Sequence, residues 1–229
     1  MSLPFPLVLA TQNADKTREI VEIFVECTGE PVVAYAIEGI AFLVDDPATI
    51  AESVAKLPEL DEEPDVEETG ATLEENARIK ARALSDALGV LAIADDTGLE
   101  VDALGGAPGV RSARYAGHDA TYADNTARLL RELEGISPSR RTARFATVAI
   151  ACWPGGRELS VRGEVEGVIA EEPRGSRGFG YDPVFAPLEA DGRTFAEMAP
   201  AEKHAISHRG RAFRALATRL DNDQFHKET

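Results

Sequence analysis

A short apolar run that ends on two adjacent carboxylates constrains this chain more than any other feature. Val90 to Ala94 is continuously apolar, which is typical of a buried strand, and Asp95 and Asp96 follow it directly. Neighbouring side chains on an extended backbone point to opposite faces, so both carboxylates can face one ligand only if the strand has ended. Gly98 favours a turn there. We therefore expect a ligand site at the carboxyl end of a strand, with an ordinary Asp-rich turn as the alternative.

A strand–loop–helix unit near the start of the chain indicates a phosphate site. Leu7 to Ala10 is a short apolar strand, and apolar residues with helical spacing follow at Ile20, Ile23, Phe24 and Cys27. The loop and the first helical turn between them contain Thr11, Gln12, Asn13, Ala14, Asp15 and Lys16. Either Thr11 or Asn13 can cap the helix. Because helix N-termini attract anions and Lys16 adds a full charge, we expect phosphate binding, with a merely solvated lysine as the alternative.

The clearest helix of the sequence begins at Thr72, which is spaced to form a capping box with Glu75. Two further adjacent carboxylates, Glu67 and Glu68, precede it. A right-handed crossover would join this helix to the strand that leads into Asp95 and Asp96, so the acidic pair could come near that strand end. Three or more such oxygens would suit a hard divalent cation.

The segment from Gly39 to Pro64 is the least regular part of the sequence. It contains a proline-initiated helix from Asp46-Pro47 to about Leu57, followed by the acidic stretch Pro58 to Pro64. We interpret the segment as a surface excursion with no direct catalytic role.

The second half of the chain begins with regular elements. Helical periodicity predicts a helix from Thr121 to Leu133. Arg144 to Trp153 and Glu158 to Ala170 are predicted to be two antiparallel strands joined by a short Pro-Gly-Gly turn.

A glycine-rich loop and the start of the last helix are further candidate binding elements. Glycines on both sides of Phe179 let backbone and ring approach a flat ligand closely, although the ring could instead be tucked into the core. Ser207 can cap the last helix, which would place His208 and Arg209 at its positive end. Lys203 lies four residues before Ser207, and together these residues favour an anion or base contact.

Charge and cysteine content exclude several classes of protein. The formal charge of −16 opposes a general nucleic-acid or anionic-membrane binder, but a few basic residues and a divalent cation can reverse the local sign for a phosphorylated small molecule. Cys27 and Cys152 are far apart and predict buried free thiols. No apolar run reaches membrane-spanning length, so we expect a cytoplasmic protein with a single domain over residues 1–229.

Six blocks in this order resemble the inosine triphosphate pyrophosphatase family. They are TQNADK at 11–16, EETG at 67–70 with ENA at 75–77, ADDTGL at 94–99, GVRSARY at 109–115, GFGYDP at 178–183 and SHRG at 207–210. Each block is weak alone, but six in order along almost the entire chain are highly specific. The sequence departs from the family pattern at Thr97, where serine is usual, at Arg111, where an aromatic is common, and in the longer segment 39–64.

The resemblance implies an elongated α/β fold with a long, mostly mixed central sheet flanked by helices. It also implies two lobes with an active-site cleft between them, and a homodimer. The implied reaction is Mg²⁺-dependent hydrolysis of deaminated purine nucleoside triphosphates (ITP, dITP and XTP) between the α- and β-phosphates. The products would be the nucleoside monophosphate and pyrophosphate.

The matching positions imply a role for each candidate residue. Thr11 to Lys16 would hold the triphosphate, and Glu67 and Asp96 would ligate the metal. Asp96 would also be the base for the attacking water, with Asp95 as the alternative. Phe179 would stack on the purine. The remaining candidates would bind the base or complete the phosphate site, and they are Thr97, Gly180, Tyr181, Asp182, Lys203, His208 and Arg209.

Two other functions stay open at this point. A Maf-like pyrophosphatase acting on modified nucleotides would have a similar fold and chemistry, but the SHRG block at 207–210 argues against it. A nucleotide-binding regulator without turnover would not need both Asp96 and Glu67.

Overall fold

The computed structural model describes residues 7–11, 13–29, 32–37, 40–44 and 66–225. Eight strands lie among them: β1 Leu7–Leu9, β2 Val33–Ile37, β3 Ile40–Val44, β4 Ala92–Val101, β5 Pro108–Gly109, β6 Thr142–Cys152, β7 Glu158–Ile169 and β8 Phe185–Pro187. The helices described are α1 Ala14–Thr28, α2 Leu73–Leu88, α3 Tyr122–Glu132, α4 Pro200–Ile206 and α5 His208–Phe225.

The strands form one mixed sheet in the order β2-β3-β1-β4-β6-β7-β8, with the short β5 paired to β4. β1 runs parallel to β4, with Leu9 opposite Ile93, and antiparallel to β3, with Leu9 opposite Ala41. The predicted α/β class and mixed sheet are therefore confirmed. Because β1 and β4 are parallel, the loop after β1 and the carboxylates after Ile93 lie at the same edge of the sheet.

Local sequence signals position the first two helices. The Asn13 side chain accepts hydrogen bonds from the backbone N–H groups of Asp15 and Lys16, and so caps α1. Thr72 and Glu75 form the expected capping box at the start of α2. The capping box at Thr72 is confirmed, and of the two candidate caps of the first helix, Asn13 is the one that the structure shows.

The interpretation of residues 39–64 as a surface excursion is wrong for its first part. Ile40 to Val44 form the internal strand β3, which lies between β2 and β1 and pairs antiparallel with both. Ala41, Leu43 and Val44 are buried, so this apolar run belongs to the core. Residues 45–65 lie outside the described residues, and with them the predicted helix 47–57 and the acidic stretch 58–64.

The expectation that the strand ends at Asp95 is also wrong. β4 continues through Asp95, Asp96 and Gly98 to Val101, and its second half pairs with β5 through Leu99 opposite Gly109. Tertiary pairing therefore overrides the turn preference of the Asp-Asp-Thr-Gly sequence. Because the backbone remains extended, the side chains of Asp95 and Asp96 leave the strand on opposite faces.

The chain divides into two compact units. Residues 1–96, 148–161 and 212–229 form the first unit, and residues 97–147 and 162–211 form the second. The first unit has a core in which α1 and α5 pack on alternate residues of the strands; its buried members include Leu7, Leu9, Ile20, Phe24, Ile93, Ala149, Phe213 and Leu216. The intervening strand residues Val8, Ala92 and Ile150 are buried as well, so both faces of the sheet are covered in this unit.

The second unit has its own core around β4, β6, β7 and α3. Its members include Leu99, Leu129, Phe145, Val165, Phe185, Phe195 and Met198. The predicted helix over 121–133 and the predicted strand pair after residue 144 are present as α3, β6 and β7. β8 and α4 were not predicted. The single domain and the cleft between lobes stay predictions.

We predict that Phe213→Ala destabilises the protein by about 3–5 kcal/mol, the usual cost of truncating a buried phenylalanine. Phe213 is fully buried and packs edge-on against Phe24, with ring centroids 5.6 Å apart. Urea unfolding followed by circular dichroism measures the loss. Val25→Ala, at an exposed position of α1, is the control and should change stability by about 0.5 kcal/mol or less. Equal losses in the two variants would contradict the packing of α5 in this core.

Candidate functional site

Charged side chains of the first unit gather at the edge where β1 ends. Asp95 and Asp96 come from β4, Glu68 precedes α2, and two lysines pair with them. We call Lys16, Glu68, Asn76, Lys80, Asp95 and Asp96 the carboxylate–lysine cluster.

Lys80 is the centre of this cluster. From the third turn of α2, its Nζ lies 2.8 Å from Glu68 Oε1 and 3.6 Å from Asp96 Oδ1. The same ammonium donates a hydrogen bond of 2.8 Å to the backbone carbonyl of Asp95. One cation thus fixes the end of the segment before α2 against the middle of β4.

Asn76 fixes Asp96 from the first turns of α2. Its Nδ2 donates to Asp96 Oδ2 at 3.3 Å, and its Oδ1 accepts the backbone N–H of Gly70 at 2.8 Å. Gly70 is required for this close approach, because a Cβ at that position would lie 2.6 Å from Asn76 Oδ1. Asn76 and Lys80 are four residues apart on one helix and therefore reach the same strand.

Lys16 joins the cluster from the first turn of α1. Its Nζ lies 3.2 Å from Asp95 Oδ2, a carboxylate that is almost fully buried. The N–H groups of Asp15 and Lys16 already donate to Asn13, so at this helix start the Lys16 ammonium and the helix dipole are the groups that could attract phosphate. Thr11 accepts a hydrogen bond from the backbone N–H of Asn13 at 3.2 Å.

The cluster holds more negative than positive charge. Burial raises the pKa of Asp96, and the nearby Glu68 and Asp95 raise it further, although Lys80 and Lys16 oppose the shift. Burial by itself would lower the pKa of Lys80, but the combined charge of Asp96, Asp95 and Glu68 outweighs this effect and raises it. With both pKa values raised, Asp96 and Lys80 each hold their proton more tightly. A further cation would relieve the same repulsion between the carboxylates.

The structure brings Glu68, rather than the predicted Glu67, to Asp96. The Glu67 side chain is exposed and its backbone carbonyl accepts the N–H of Thr69 in a turn, whereas the Glu68 carboxylate is bound to Lys80. Within the described residues, no group of three or more His, Cys, Asp or Glu side chains is arranged to hold a metal ion by itself. Mg²⁺ commonly uses one or two carboxylates together with substrate phosphates, and this donor set fits that kind of site.

The second unit contains an aromatic platform with a carboxylate beneath it. Asp182 Oδ2 accepts the backbone N–H of Phe179 at 2.8 Å and lies 2.6 Å from Lys203 Nζ. Lys203 Nζ lies 5.1 Å from the centroid of the half-buried Phe179 ring. Gly178 has a φ of +70°, and a Cβ there would lie 2.0 Å from Asp182 Oδ2, so only glycine fits this turn.

His208 and Arg209 begin α5 beside this platform. Ser207 Oγ accepts the N–H of Gly210 at 3.0 Å, as expected for a cap. The His208 ring stacks on Phe145 with centroids 4.4 Å apart, and Arg209 Cζ lies 5.5 Å from the Phe179 centroid. The Arg209 guanidinium also donates to Thr97 Oγ1 at 3.2 Å. The second unit therefore gathers Thr97, Phe179, Asp182, Lys203, His208 and Arg209.

Two predicted binding residues have mainly structural positions. Tyr181 is buried and donates to the carbonyl of Ser112 at 2.9 Å, so it holds the loop before α3. The carbonyl of Gly180 accepts a hydrogen bond from Thr126. In the first unit, Ala14 and Asp15 lie in the first turn of α1, where Asp15 pairs with Arg18. Gln12 lies outside the described residues.

Three contributors were missed by the sequence interpretation: Asn76, Lys80 and Thr147. Asn76 and Lys80 interrupt the apolar stripe of α2 at a spacing of four, which could have marked them as facing a common polar partner. Thr147 lies in the apolar run of β6, where a fully buried hydroxyl is a sign of a specific polar contact.

Known proteins with similar sequences or structures were identified in three comparisons. A model of the Ham1 family matches residues 7–219. The dITP/XTP pyrophosphatase of Geobacillus kaustophilus is 46% identical over 210 residues, covering 92% of this chain and 91% of that protein. The dITP/XTP pyrophosphatase of Mycolicibacterium paratuberculosis is 44% identical over 217 residues, covering 94% of this chain and 96% of that protein. The structure of the Staphylococcus aureus Ham1 protein matches with a TM-score of 0.72 at 34% sequence identity. The match covers 95% of this chain and 98% of that protein. Separately, no described helix is both long and apolar enough to cross a membrane.

We predict that Asp96→Asn stabilises the protein at pH 8 in the presence of a chelator. Because the folded-state pKa of Asp96 is raised, its ionised form opposes folding above that pKa. This cost disappears as the pH falls below about 4, the pKa of an aspartate in an unfolded chain. The gain in melting temperature should therefore shrink as the pH is lowered towards 4.

Asp124→Asn is the matched control of opposite sign. Hydrogen bonds from Thr121 lower the pKa of Asp124, so its ionised form supports folding above about pH 4 and the support is lost as pH falls through the folded-state pKa. Asp124→Asn should therefore lower the melting temperature at pH 8. An Asp96→Asn variant that is less stable than wild type at pH 8 would contradict the raised pKa.

Proposed function

The chain belongs to the Ham1 family, and we propose that it hydrolyses deaminated purine nucleoside triphosphates. The resemblance drawn from the six sequence blocks is confirmed by the family match. The proposed substrates are ITP, dITP and XTP, and the products are the monophosphate and pyrophosphate. The observation that carries the proposal is the carboxylate–lysine cluster, in which Lys80 contacts the buried Asp96, whose pKa is raised, and Lys16 pairs with the adjacent Asp95.

We propose Mg²⁺ as the cofactor, held by Asp96 and Glu68 together with the substrate phosphates. When bound, it would supply charge neutralisation for the polyphosphate and its leaving group. The grouping of three carboxylates supports this proposal, since Glu68 and Asp96 both contact Lys80 and the adjacent Asp95 contacts Lys16. Glu67, the metal ligand predicted from the sequence, is the alternative to Glu68.

Asp96 is the proposed base for the attacking water. Its raised pKa makes it a better proton acceptor than an ordinary aspartate, and Asn76 and Lys80 hold its two oxygens in place. Asp95 is paired with Lys16, whose ammonium is positioned to neutralise phosphate charge at the start of α1. In this assignment Asp96 accepts the proton, and Asp95 positions the lysine that binds phosphate.

We propose that the aromatic platform of the second unit binds the purine ring of the substrate. Phe179 would stack on the purine, and stacking alone cannot distinguish bases because each has a π-face. Lys203, His208 and nearby backbone amides would donate to the 6-oxo group of the base. Adenine has an amino group at this position, so two donors would face each other, which is unfavourable when buried.

The alternative functions are not favoured. The relatives from Geobacillus kaustophilus and Mycolicibacterium paratuberculosis, which align with 92% and 94% of the chain, are named dITP/XTP pyrophosphatases, which argues against a Maf-like activity and against a regulator without turnover. We also propose, from the family resemblance, a homodimer in the cytoplasm. Light scattering of the purified protein tests the dimer.

We predict that Asp96→Asn lowers kcat for ITP by at least about a hundredfold, because it removes the base and a metal ligand together. Glu68→Gln should lower kcat strongly as well, and Glu67→Gln is its matched control, with the same chemical change one residue away. Pyrophosphate release at saturating Mg²⁺ measures all three.

Two outcomes would contradict these assignments. Retention of more than about a tenth of the wild-type rate by Asp96→Asn, equivalent to only ~1.4 kcal/mol of barrier, would exclude Asp96 as the base. Greater damage from Glu67→Gln than from Glu68→Gln would return the metal-ligand role to Glu67.

We predict that ITP and XTP are hydrolysed with kcat/KM at least about a hundredfold above ATP, since mismatched donors cost a few kcal/mol. Phe179→Ala should weaken all substrates alike, and His208→Ala should narrow the gap to ATP. Steady-state kinetics with ITP, XTP, GTP and ATP test this prediction. Equal losses on every substrate for His208→Ala would move that residue from base recognition to a role in phosphate binding or packing on Phe145.

A further inference from the structure

We propose that Thr147 is a positioning residue for Arg209, and that it acts through the hydroxyl of Thr97. This inference rests on the proposed function, because Arg209 is one of the residues proposed to bind the substrate. Thr147 itself lies in the middle of β6 and is fully buried, and its proposed effect on the substrate is indirect.

The three side chains form a continuous polar contact within the second unit. The hydroxyl oxygens of Thr97 and Thr147 are 2.7 Å apart, and the Arg209 guanidinium donates to Thr97 Oγ1 at 3.2 Å. Arg209 is 2% exposed and Thr147 is 0% exposed, whereas Thr97 between them is half-buried, so solvent has limited access to the contacts. In a buried environment, such hydrogen bonds are strong and their loss is costly.

The chemistry of the groups limits which of them can donate each hydrogen bond. A guanidinium can only donate, so the Thr97 oxygen must accept from Arg209. The Thr97 hydroxyl has one proton to give, and Thr147 Oγ1 is within reach of it; alternatively, Thr147 donates to the same oxygen. In either arrangement, Thr147 fixes the rotation of the Thr97 hydroxyl and keeps an acceptor directed at Arg209.

The position of Arg209 matters because its guanidinium also lies beside the aromatic platform, 5.5 Å from the centroid of the Phe179 ring. A guanidinium is held less precisely when its acceptor is no longer fixed, and misplacements of about 1 Å can be costly in an active site. Thr147 thus influences substrate binding through one intermediate hydroxyl. We expect its effect mainly on KM, since it orients a binding group and leaves the carboxylate–lysine cluster intact.

The test removes the Thr147 hydroxyl at nearly constant volume. Thr147→Val should raise KM for ITP by about fivefold, the effect expected for one lost hydrogen bond, with a smaller change in kcat. Thr147→Ser keeps the hydroxyl and should restore KM to within about twofold of wild type on the same reasoning. Thr142→Val is the matched control on the same strand, because the Thr142 hydroxyl binds Asp102, away from Arg209. Melting temperatures of all variants show whether each one folds.

A double-mutant cycle separates positioning from general packing. In an Arg209→Lys background, Thr147→Val should have little further effect on KM, whereas Thr142→Val should behave as it does in the wild type. Additive effects of Thr147→Val and Arg209→Lys would overturn the inference, as would equal kinetics of Thr147→Val and Thr142→Val in an active enzyme. Absence of ITP hydrolysis by the folded wild type would instead overturn the proposed function.

Discussion

The first unit holds buried carboxylates and ammonium groups in close contact at the end of β1. Glu68, Asp95 and Asp96 face two ammonium groups, and both aspartates are buried. Low local dielectric strengthens repulsion between the carboxylates and makes their desolvation costly. The backbone cannot move them apart, because both aspartates are fixed in β4 between the pairing with β1 and the pairing with β5. A proton or an added cation would lessen this repulsion, in line with the raised pKa of Asp96.

Much of the fold was accessible from the sequence because local signals agreed with tertiary packing. Asn13 and Thr72 cap their helices, and the hairpin of β6 and β7 follows from alternation and a Pro-Gly-Gly turn. The failures occurred where pairing partners distant in sequence decide the structure. Asp95 to Gly98 has turn chemistry but remains extended because β5 pairs with the residues that follow. Ile40 to Val44 lies in an irregular segment but becomes an internal strand between β1 and β2.

The candidate site was predicted at the level of sequence blocks more reliably than at the level of single residues. Two adjacent glutamates cannot be told apart by pattern, and only the position of Lys80 distinguishes Glu68 from Glu67. Asn76 and Thr147 act through contacts with residues 20 and 50 positions away, which no local spacing encodes. The residues proposed to contact a ligand lie in recognisable motifs, whereas Lys80 and Thr147, which contact them, lie outside those motifs.

The two groups of polar side chains explain how an acidic chain can bind a polyanion. The formal charge of −16 describes the whole sequence, but the groups that would meet the substrate differ locally in sign. The carboxylate–lysine cluster has a surplus of carboxylates and suits a divalent cation that accompanies the phosphates. Around the platform of the second unit, Lys203 and Arg209 bring two positive charges to the one carboxylate of Asp182. Asp182 uses its Oδ2 to hold both Lys203 and the Phe179 backbone, so its charge orders the platform. Cationic donors such as Lys203 and Arg209 favour a ligand group that accepts hydrogen bonds, such as a 6-oxo group or a phosphate oxygen, over an amino group.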